Sequence, residues 1–267
     1  MQIHGKEIKT IISDLDGTLL GEDKQLDASI FSLIKELEKR GVSFVAASGR
    51  QYNNMKLLFA PIIDRIPLVC ENGSQIVKNG ETVYERNIPR ELSFELIADL
   101  LAVPGTETIV SSERRLFTLA GRDEFIAYMN NFLHPEMNLV EAYEQIDGSI
   151  NKISIWWQNG IPEKEEKWFH EKYDDKLQVV DGGNGWLDFT MKEVNKGTAL
   201  RRLAEIEGFS LEEALCFGDS ENDVAMFREC GISYAMATGR EHVKAEADYI
   251  CDNVSRKLKE FLEEVEK

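Results

Sequence analysis

The chain has 267 residues, of which 43% are hydrophobic and 30% charged, and this excludes a peptide hormone, a disulfide mini-scaffold and a disordered chain. Its 31 basic and 48 acidic residues give a formal net charge of −17, a field that repels nucleic acid and anionic membrane surfaces. We therefore expect a folded, water-soluble protein with neither nucleic acid nor a membrane as its partner.

The sequence contains no targeting signal and no cysteine or histidine cluster. Its start, Met1–Glu7, lacks the basic and apolar parts of a secretory signal, and no stretch of about 18 residues stays apolar. We predict a cytoplasmic protein, and the acidic surface is compatible with a monomer or weak homodimer. The cysteines and histidines are too scattered for disulfides, a zinc site or a Ser-His-Asp triad, so free thiols are expected: Cys70, Cys216, Cys230, Cys251, His4, His134, His170 and His242.

The first elements predict a parallel sheet. A β-type apolar segment spans residues 8–16 and ends in carboxylates followed by a Gly-Thr pair. Apolar residues then recur at helical spacing from Leu26 to Leu37, and Lys39-Arg40-Gly41 ends this helix. A second β-type run covers residues 42–47. Strand, helix and strand in succession form a βαβ unit, which implies a right-handed crossover.

The middle of the chain has a different pattern. A helix near 52–59 and a strand at 67–70 lead to Glu71-Asn72-Gly73, a tight-turn signal. From about Glu81, helical stretches alternate with β-type stretches that suit an antiparallel sheet with one exposed face. The predicted helices cover 91–102, 123–132 and 162–173, and the strands 106–111, 115–120, 150–157, 176–181 and 185–190. We interpret this part as an inserted α+β domain.

The α/β pattern returns after Lys196. It comprises a helix at 198–207, a strand at 214–217, a helix through Met226-Phe227, a strand at 232–236 and a charged helix within 255–267. The predicted fold class is therefore α/β, with a Rossmann-like, doubly wound parallel-sheet core that is split in sequence by the α+β insertion.

The first strand ends in Asp14-Leu15-Asp16-Gly17-Thr18, at the edge where open α/β sheets bind ligands. Two carboxylates two residues apart suit a reaction in which one attacks phosphorus and the other shuttles a proton. Gly17 permits the sharp turn that lets both side chains face a ligand. An isolated string of this type is also compatible with an acidic loop that has no catalytic role.

Three further strand ends carry polar side chains. Ser48-Gly49-Arg50 supplies a hydroxyl and backbone N–H groups that suit a phosphate oxygen, although the same pattern is an ordinary helix cap. Asn195-Lys196-Gly197 places a cation before a helix, where it could neutralise phosphate and an aspartate, although most lysines are surface cations. In Gly218–Asp223 two aspartates, Asp219 and Asp223, lie one turn apart, whereas a cap needs only one acidic residue.

Four aspartates gathered at one sheet edge would repel one another unless a hard cation lay among them: Asp14, Asp16, Asp219 and Asp223. Oxygen ligands together with waters and a substrate phosphate suit Mg²⁺. We therefore expect Mg²⁺ as the cofactor, because it would screen an anionic nucleophile from an anionic substrate.

These segments, in this order, resemble motifs I to IV of the haloacid dehalogenase superfamily. The sequences Glu71-Asn72-Gly73-Ser74, Asn195–Leu200 and Gly218–Asp223 are similar to its Cof-type branch, and the likeness covers nearly the whole chain. The resemblance implies that Asp14 forms an aspartyl phosphate and that Asp16 is the general acid and base.

The resemblance also implies the remaining roles. Phosphate is expected to contact five residues: the Leu15 backbone, Ser48, Gly49, Lys196 and Asn222. Lys196 is also an implied catalytic residue. Mg²⁺ is expected to bind Asp14, the backbone carbonyl of Asp16, and Asp219. Three residues would support the site: Thr18 by positioning the nucleophile loop, Asp223 by orienting Lys196 or binding through water, and Arg50.

The spacing of the motifs indicates where the insertion lies. Only 31 residues separate Asp16 from Ser48, and the crossover helix occupies them, whereas 145 residues lie between Arg50 and Lys196. The insertion is similar to the C2-type cap of the superfamily, which is expected to close over the site and select the leaving group. We predict a core of 1–82 and 190–267 and a cap of 83–189, with hinges at both junctions: Thr82-Val83 and Phe189–Met191.

The predicted function is a Mg²⁺-dependent phosphoric monoester hydrolase that acts on a small phosphorylated metabolite, such as a sugar phosphate or a phosphorylated cofactor. Two alternatives remain: a phosphomutase of the same superfamily, and a non-catalytic phosphate-binding regulatory protein. The sequence does not name the substrate. Five cap residues are candidate contacts to it, although surface cations and core aromatics are the commoner explanation: Arg114, Arg115, Lys152, Trp156 and Trp186.

Overall fold

The computed structural model describes residues 1–21, 24–132 and 137–264, and the chain divides into two compact units. The first unit contains Met1–Arg50, Met55–Tyr84 and the chain from Asn195 onward. The second unit contains Gln51–Asn54 and Glu85–Val194. Each unit has its own sheet and its own apolar core.

The strands and helices are numbered here in chain order. The strands are β1 Gln2–Ile3, β2 Lys6–Glu7, β3 Thr10–Ser13, β4 Ser43–Ala47, β5 Leu68–Cys70, β6 Gln75–Lys78, β7 Glu81–Glu85, β8 Thr106–Ser112, β9 Arg115–Leu119, β10 Met137–Val140, β11 Ile150–Trp157, β12 Leu177–Gly183, β13 Trp186–Met191, β14 Ala214–Gly218, β15 Ile232–Met236 and β16 Tyr249–Cys251. The helices are α1 Ser29–Lys39, α2 Tyr52–Leu58, α3 Arg90–Leu101, α4 Asp123–Phe132, α5 Glu163–Tyr173, α6 Lys196–Glu207, α7 Val224–Glu229, α8 Glu241–Lys244 and α9 Val254–Glu264.

The sheet of the first unit has eight strands in the order β16-β15-β14-β3-β4-β5-β6-β7. The strands from β16 to β5 are parallel, and β6 pairs antiparallel with β5. Strands β3 and β14 are buried along their whole length, as expected when helices cover both faces of a parallel sheet. Because β14, β3, β4 and β5 are parallel neighbours, their carboxyl ends lie at one edge.

The core of the first unit joins strands and helices. Ile12, Val45 and Val69 of the sheet cluster with Leu200 of α6 and Phe227 of α7. In α1, the buried residues recur at helical spacing and form one apolar face: Ile30, Ile34 and Leu37. All four cysteines are free, as expected.

The sheet of the second unit has six strands in the order β10-β9-β8-β11-β13-β12. Its pairs are antiparallel except for β10 with β9. Leu96 of α3 and Phe169 of α5 are buried against Ile153 of β11 in the main core. A second cluster joins Phe125 of α4 to Trp156, whose side chain points away from Ile153 because strand residues alternate between faces.

The predicted α/β fold class is confirmed, whereas several boundaries differ. The strand predicted at 8–16 is β3, Thr10–Ser13, because the chain turns immediately after it. The predicted cap, 83–189, compares with a second unit whose main segment is Glu85–Val194. Residues Phe189–Met191, expected as a hinge, belong to β13 and pair with β12.

Six short strands were not predicted: β1 and β2, which form a hairpin, and β6, β7, β10 and β16. His134 and the last three residues of the predicted closing helix, 265–267, lie outside the described residues.

Candidate active site

Polar residues follow four neighbouring strands at the carboxyl edge of the first unit's sheet. Asp14 follows β3, Ser48 follows β4, Glu71 follows β5 and Asp219 follows β14. The Asp14 backbone N–H donates to Phe217 O at 3.0 Å, which ties the start of this loop to β14. The topology therefore brings together segments that are up to about 200 residues apart in sequence.

Lys196 lies between two buried carboxylates. Its Nζ is 2.5 Å from Asp14 Oδ1 and 2.6 Å from Asp223 Oδ1, and neither Lys196 nor Asp223 has any exposed surface. Burial alone would lower the pKa of Lys196, but the negative charges of Asp14 and Asp223 outweigh burial and raise it. Lys196 is therefore a fixed cation, as an ammonium held between two anions should be.

The position of Lys196 follows from the cap of its helix. Asn195 Oδ1 accepts a hydrogen bond from Thr198 N at 2.9 Å, and Thr198 Oγ1 accepts one from Asn195 N at 3.1 Å. This capping box starts α6 at Lys196. Asn195 thus acts as an ordinary helix cap, and the same cap fixes the position of Lys196, the residue predicted for the site.

Asp223 organises the acidic loop after β14. Its Oδ2 accepts hydrogen bonds from Asp219 N at 2.9 Å and from Ser220 N at 3.0 Å. Thr18 Oγ1 donates to Asp219 Oδ1 at 3.2 Å, so the loop after β3 and the acidic loop touch directly. Gly17, with a φ of 80°, lies so close to Asp219 that a Cβ would overlap its carboxylate.

Asp14, Asp219 and Asp223 form a carboxylate cluster, with one ligand oxygen from each lying within 4.8 Å of the others. Burial raises the pKa of Asp14 to about 8, against the attraction of Lys196 and with a further rise from the charge of Asp223. Burial and the charge of Asp223 also raise the pKa of Asp219. Removing such carboxylates from water favours a bound cation, so this cluster could hold a metal ion.

Asp16 does not join that cluster through its carboxylate, contrary to the expected gathering of four aspartates. Arg50 Nε donates to Asp16 Oδ2 at 2.6 Å and Arg50 Nη2 donates to Oδ1 at 2.7 Å, while Lys24 Nζ is 3.0 Å from Oδ1. Burial would raise the pKa of Asp16, but these hydrogen bonds hold it below its ordinary value. Arg50, predicted only as a supporting residue, is thus the bidentate partner of Asp16.

The predicted phosphate-binding residues also lie in the first unit. Ser48 is 1% exposed, and its Oγ accepts a hydrogen bond from Arg50 N at 3.2 Å. Asn222 Nδ2 donates to Asn72 Oδ1 at 3.0 Å, and Asn72 Oδ1 would lie 2.9 Å from a Cβ at Gly49. Leu15 is fully buried, and its carbonyl accepts from Leu20 N at 2.8 Å.

Asn72 is a site residue that the sequence interpretation missed. The sequence predicts a tight turn at this Asn-Gly pair, and Glu71–Ser74 contributes to the likeness to the Cof-type branch, but neither observation assigns Asn72 a role at the site. Because that strand is β5, a parallel neighbour of β4, the turn stands at the same edge as Ser48.

The five candidate contact residues of the second unit have structural partners there. Lys152 Nζ is 3.5 Å from Asp188 Oδ2, and Arg115 Nη2 is 3.2 Å from Glu113 Oε2. The Arg114 guanidinium lies over the Tyr52 ring at 5.2 Å. The remaining two, Trp156 and Trp186, belong to one aromatic cluster with ring centroids 6.2 Å apart. Their contact to substrate stays a prediction.

A sequence profile of the haloacid dehalogenase-like hydrolases matches residues 11–257. The chain belongs to this family. This haloacid dehalogenase-like hydrolase is similar to 5-amino-6-(5-phospho-D-ribitylamino)uracil phosphatase YbjI of Escherichia coli. The two are 28% identical over 243 aligned residues, and the alignment covers 91% of this chain and 90% of that relative.

Two further relatives cover almost the same length. YcsE of Bacillus subtilis, which is named for the same activity, is 27% identical over 246 residues, 92% of this chain and 90% of the relative. The solved structure of SMU.1108c from Streptococcus mutans has a TM-score of 0.85 at 26% identity, over 96% of this chain and 100% of that one. These matches confirm that the chain belongs to the predicted superfamily and to its Cof-type phosphatase branch. They also confirm the predicted enzyme class, a phosphoric monoester hydrolase.

Within residues 1–21, 24–132 and 137–264, no helix combines the length and the apolar character needed to cross a membrane. The cytoplasmic location and the monomeric or weakly dimeric state stay predictions.

Proposed function

We propose that this haloacid dehalogenase-like hydrolase is a Mg²⁺-dependent phosphatase that hydrolyses a small phosphorylated metabolite through an aspartyl phosphate on Asp14. The observation that carries the proposal is the Asp14 carboxylate, 2.5 Å from the Lys196 ammonium and clustered with Asp219 and Asp223. A buried carboxylate beside a fixed cation suits attack on phosphorus, because the cation offsets the repulsion between two anions.

The reaction proceeds in two half-reactions. In the first, an Asp14 oxygen bonds to phosphorus, the bond from phosphorus to the leaving oxygen breaks, and Asp16 gives that oxygen a proton. In the second, Asp16 takes a proton from water, the water oxygen bonds to phosphorus, and inorganic phosphate leaves with Asp14 restored. The pairing with Arg50 and Lys24 holds the pKa of Asp16 low and keeps the carboxylate ionised, so Asp16 carries the proton of the first half-reaction only after it has exchanged this pairing for the leaving oxygen.

Phosphate is held by groups at the same sheet edge. These groups supply backbone N–H, hydroxyl, amide and ammonium donors, which suit phosphate oxygens and fix the phosphorus in line with Asp14: the Leu15 backbone, Ser48, Gly49, Lys196 and Asn222.

The oxygen ligands at the cluster fit Mg²⁺. Both oxygens of Asp223 already accept hydrogen bonds, one from Lys196 and the other from two backbone N–H groups. This leaves Asp14 and Asp219 of the cluster to hold the ion, and the resemblance to the family implies the backbone carbonyl of Asp16 as a further ligand. When bound, the ion screens Asp14 from the substrate phosphate and stabilises charge on the phosphoryl oxygens. Thr18 orients Asp219 through its hydrogen bond.

The names of the relatives suggest which phosphorylated metabolites to test. YbjI and YcsE are both named for 5-amino-6-(5-phospho-D-ribitylamino)uracil, in which a phosphate ends a polyol chain. We propose this class, phosphomonoesters of polyols and sugars, as substrates. The group that leaves such an ester is an alcohol oxygen, which a single carboxyl, Asp16, can protonate.

The test is release of inorganic phosphate from p-nitrophenyl phosphate, sugar phosphates and the ribitylaminouracil phosphate, with Mg²⁺ and with EDTA. We expect multiple turnovers, one phosphate released per substrate, and no turnover with EDTA. Asp14→Asn should lower the rate at least about 1,000-fold, because it removes the nucleophile and keeps the shape. The control, Asp64→Asn, changes an exposed aspartate and should leave the rate unchanged.

Two results would contradict the proposal. Transfer of the phosphoryl group to another position of the substrate without release of phosphate would identify a phosphomutase. Turnover at the normal rate by Asp14→Asn, or in EDTA, would exclude Asp14 as the nucleophile or the metal as a participant.

A further inference from the structure

The turn after β5 has a backbone conformation that few residues adopt. Glu71, Asn72 and Gly73 have φ values of 51°, 55° and 104° in succession. Asn adopts this left-handed region more readily than most side chains, because its short polar side chain can make local hydrogen bonds. Holding the non-glycine residues Glu71 and Asn72 in this region is costly, and such strain is kept where the surrounding structure uses the turn.

Asn72 touches the two segments that carry predicted phosphate contacts. Its backbone N–H donates to Ser48 O at 3.0 Å, and its side-chain Oδ1 accepts from Asn222 Nδ2 at 3.0 Å. A Cβ at Gly49 would lie only 2.9 Å from the same Oδ1. Asn72 therefore joins the loop after β4 to the acidic loop after β14.

The neighbouring Gly73 fixes where the turn sits. A Cβ at Gly73 would overlap the backbone carbonyl of Asn195, the residue that caps α6 directly before Lys196. The close approach needs glycine, both for its φ and for the absence of a side chain. The turn is therefore held against the start of α6, which fixes the backbone position from which the Asn72 side chain extends.

We propose that Asn72 is a positioning residue that orients the Asn222 carboxamide toward phosphate. An amide nitrogen carries two N–H donors. The bond to Asn72 uses one of them and so sets the direction of the other, which is free to donate to a phosphate oxygen. The inference rests on the proposed function, in which Asn222 contacts phosphate, and it requires no contact between Asn72 and the substrate.

The test uses glycine to remove the Asn72 carboxamide without straining the turn, because glycine adopts a φ of 55° freely. The variants are Asn72→Gly, Asn222→Ala and the double variant. The matched control is Asn79→Gly, the same exchange at a φ of 52° in the exposed turn between β6 and β7. Titration calorimetry gives the Kd of inorganic phosphate in Mg²⁺, and separately the Kd of Mg²⁺ alone.

We expect Asn72→Gly to raise the Kd of phosphate about five-fold, the effect of one neutral hydrogen bond, and to leave the Kd of Mg²⁺ unchanged. The double variant should bind phosphate no more weakly than Asn222→Ala, because Asn72 acts through Asn222. Asn79→Gly should match the unchanged protein in both titrations.

Three outcomes overturn the positioning role: unchanged phosphate binding by Asn72→Gly, equal weakening of Mg²⁺ and phosphate binding, or additive effects in the double variant. The first two outcomes are defined by comparison with the unsubstituted protein, which must itself bind phosphate, so they do not contradict the proposed function. An unchanged protein that neither binds nor releases phosphate overturns the proposed function together with this inference.

Discussion

Replacing Lys196 by methionine should destabilise the first unit strongly. Lys196→Met keeps an unbranched side chain of similar length but removes the charge and the hydrogen bonds to Asp14 and Asp223. Lys196 and Asp223 are 0% exposed and Asp14 is 5% exposed, so water does not replace these bonds. Removing one member of a buried ion pair costs about 3–5 kcal/mol, because the charges left behind are uncompensated.

The assay is urea unfolding in EDTA, followed by circular dichroism, with thermal melting as a second measurement. For a chain of this size about 1 kcal/mol corresponds to about 2–4 °C, so the melting temperature should fall by at least about 6 °C. The control Lys56→Met removes an exposed lysine of α2 and should change the free energy of unfolding by less than about 0.5 kcal/mol.

The cost of Lys196→Met should depend on pH. Burial raises the pKa of Asp14 from 3.8 to about 8, and Lys196 opposes this rise. A carboxyl group with a raised folded-state pKa contributes stability that is complete below its unfolded value and is lost as the pH rises through its folded value. In the unsubstituted protein this loss ends near pH 8, whereas in the variant the folded-state pKa of Asp14 lies higher because Lys196 no longer opposes the rise, so the deficit of the variant should grow as the pH rises above about 8. A deficit within about 1 kcal/mol of Lys56→Met at every pH would refute this reasoning.

Two further changes test the packing of each unit. Gly17→Ala places a Cβ where φ is 80° and where it overlaps the Asp219 carboxylate. We expect the free energy of unfolding in urea to fall by about 1–2 kcal/mol and calorimetry to show weaker Mg²⁺ binding. Unchanged Mg²⁺ binding would contradict the close approach. Phe169 is fully buried, and its ring centroid lies 5.3 Å from that of Phe189. We expect Phe169→Ala to lower the free energy of unfolding by about 3–5 kcal/mol. Trp168→Ala, at the neighbouring position that is 42% exposed, should lower it clearly less. Equal costs for these two variants would contradict the assigned core.

The fold and much of the site could be predicted because buried parallel strands leave a strong signal. Each of the runs before Asp14, Ser48 and Asp219 is apolar and short, and each stops at a polar residue. Parallel order then brings the ends of these runs to one edge without further information. Lys196 was expected at the site because it precedes the helix predicted at 198–207; the Asn195 cap, which was not recognised, starts that helix two residues earlier, at Lys196.

The partners of individual side chains could not be predicted. The Asp14-Leu15-Asp16 sequence is equally compatible with a carboxylate at Asp16 that faces the metal cluster or one that turns to a cation. Arg50, 34 residues away, decides between them only once the strands are assembled. Asn72 was missed because Asn-Gly indicates any tight turn, and the sequence does not tell which turn faces the site.

Short strands were missed for a different reason. β10 and β16 have four and three residues, and Met137–Val140 has no buried residue and no alternation. Such segments acquire their strand conformation from the neighbour with which they pair, so local periodicity carries little information about them.

The central claim is that Asp14 receives the phosphoryl group. The direct measurement is acid quenching of the Asp16→Asn variant during turnover of p-nitrophenyl phosphate with Mg²⁺, followed by digestion and mass spectrometry. Without the carboxyl of Asp16 to activate water, the phosphorylated form should accumulate. The account predicts one phosphoryl group on the peptide that contains Asp14. A phosphoryl group on another residue, or none in a protein that releases phosphate, would contradict it.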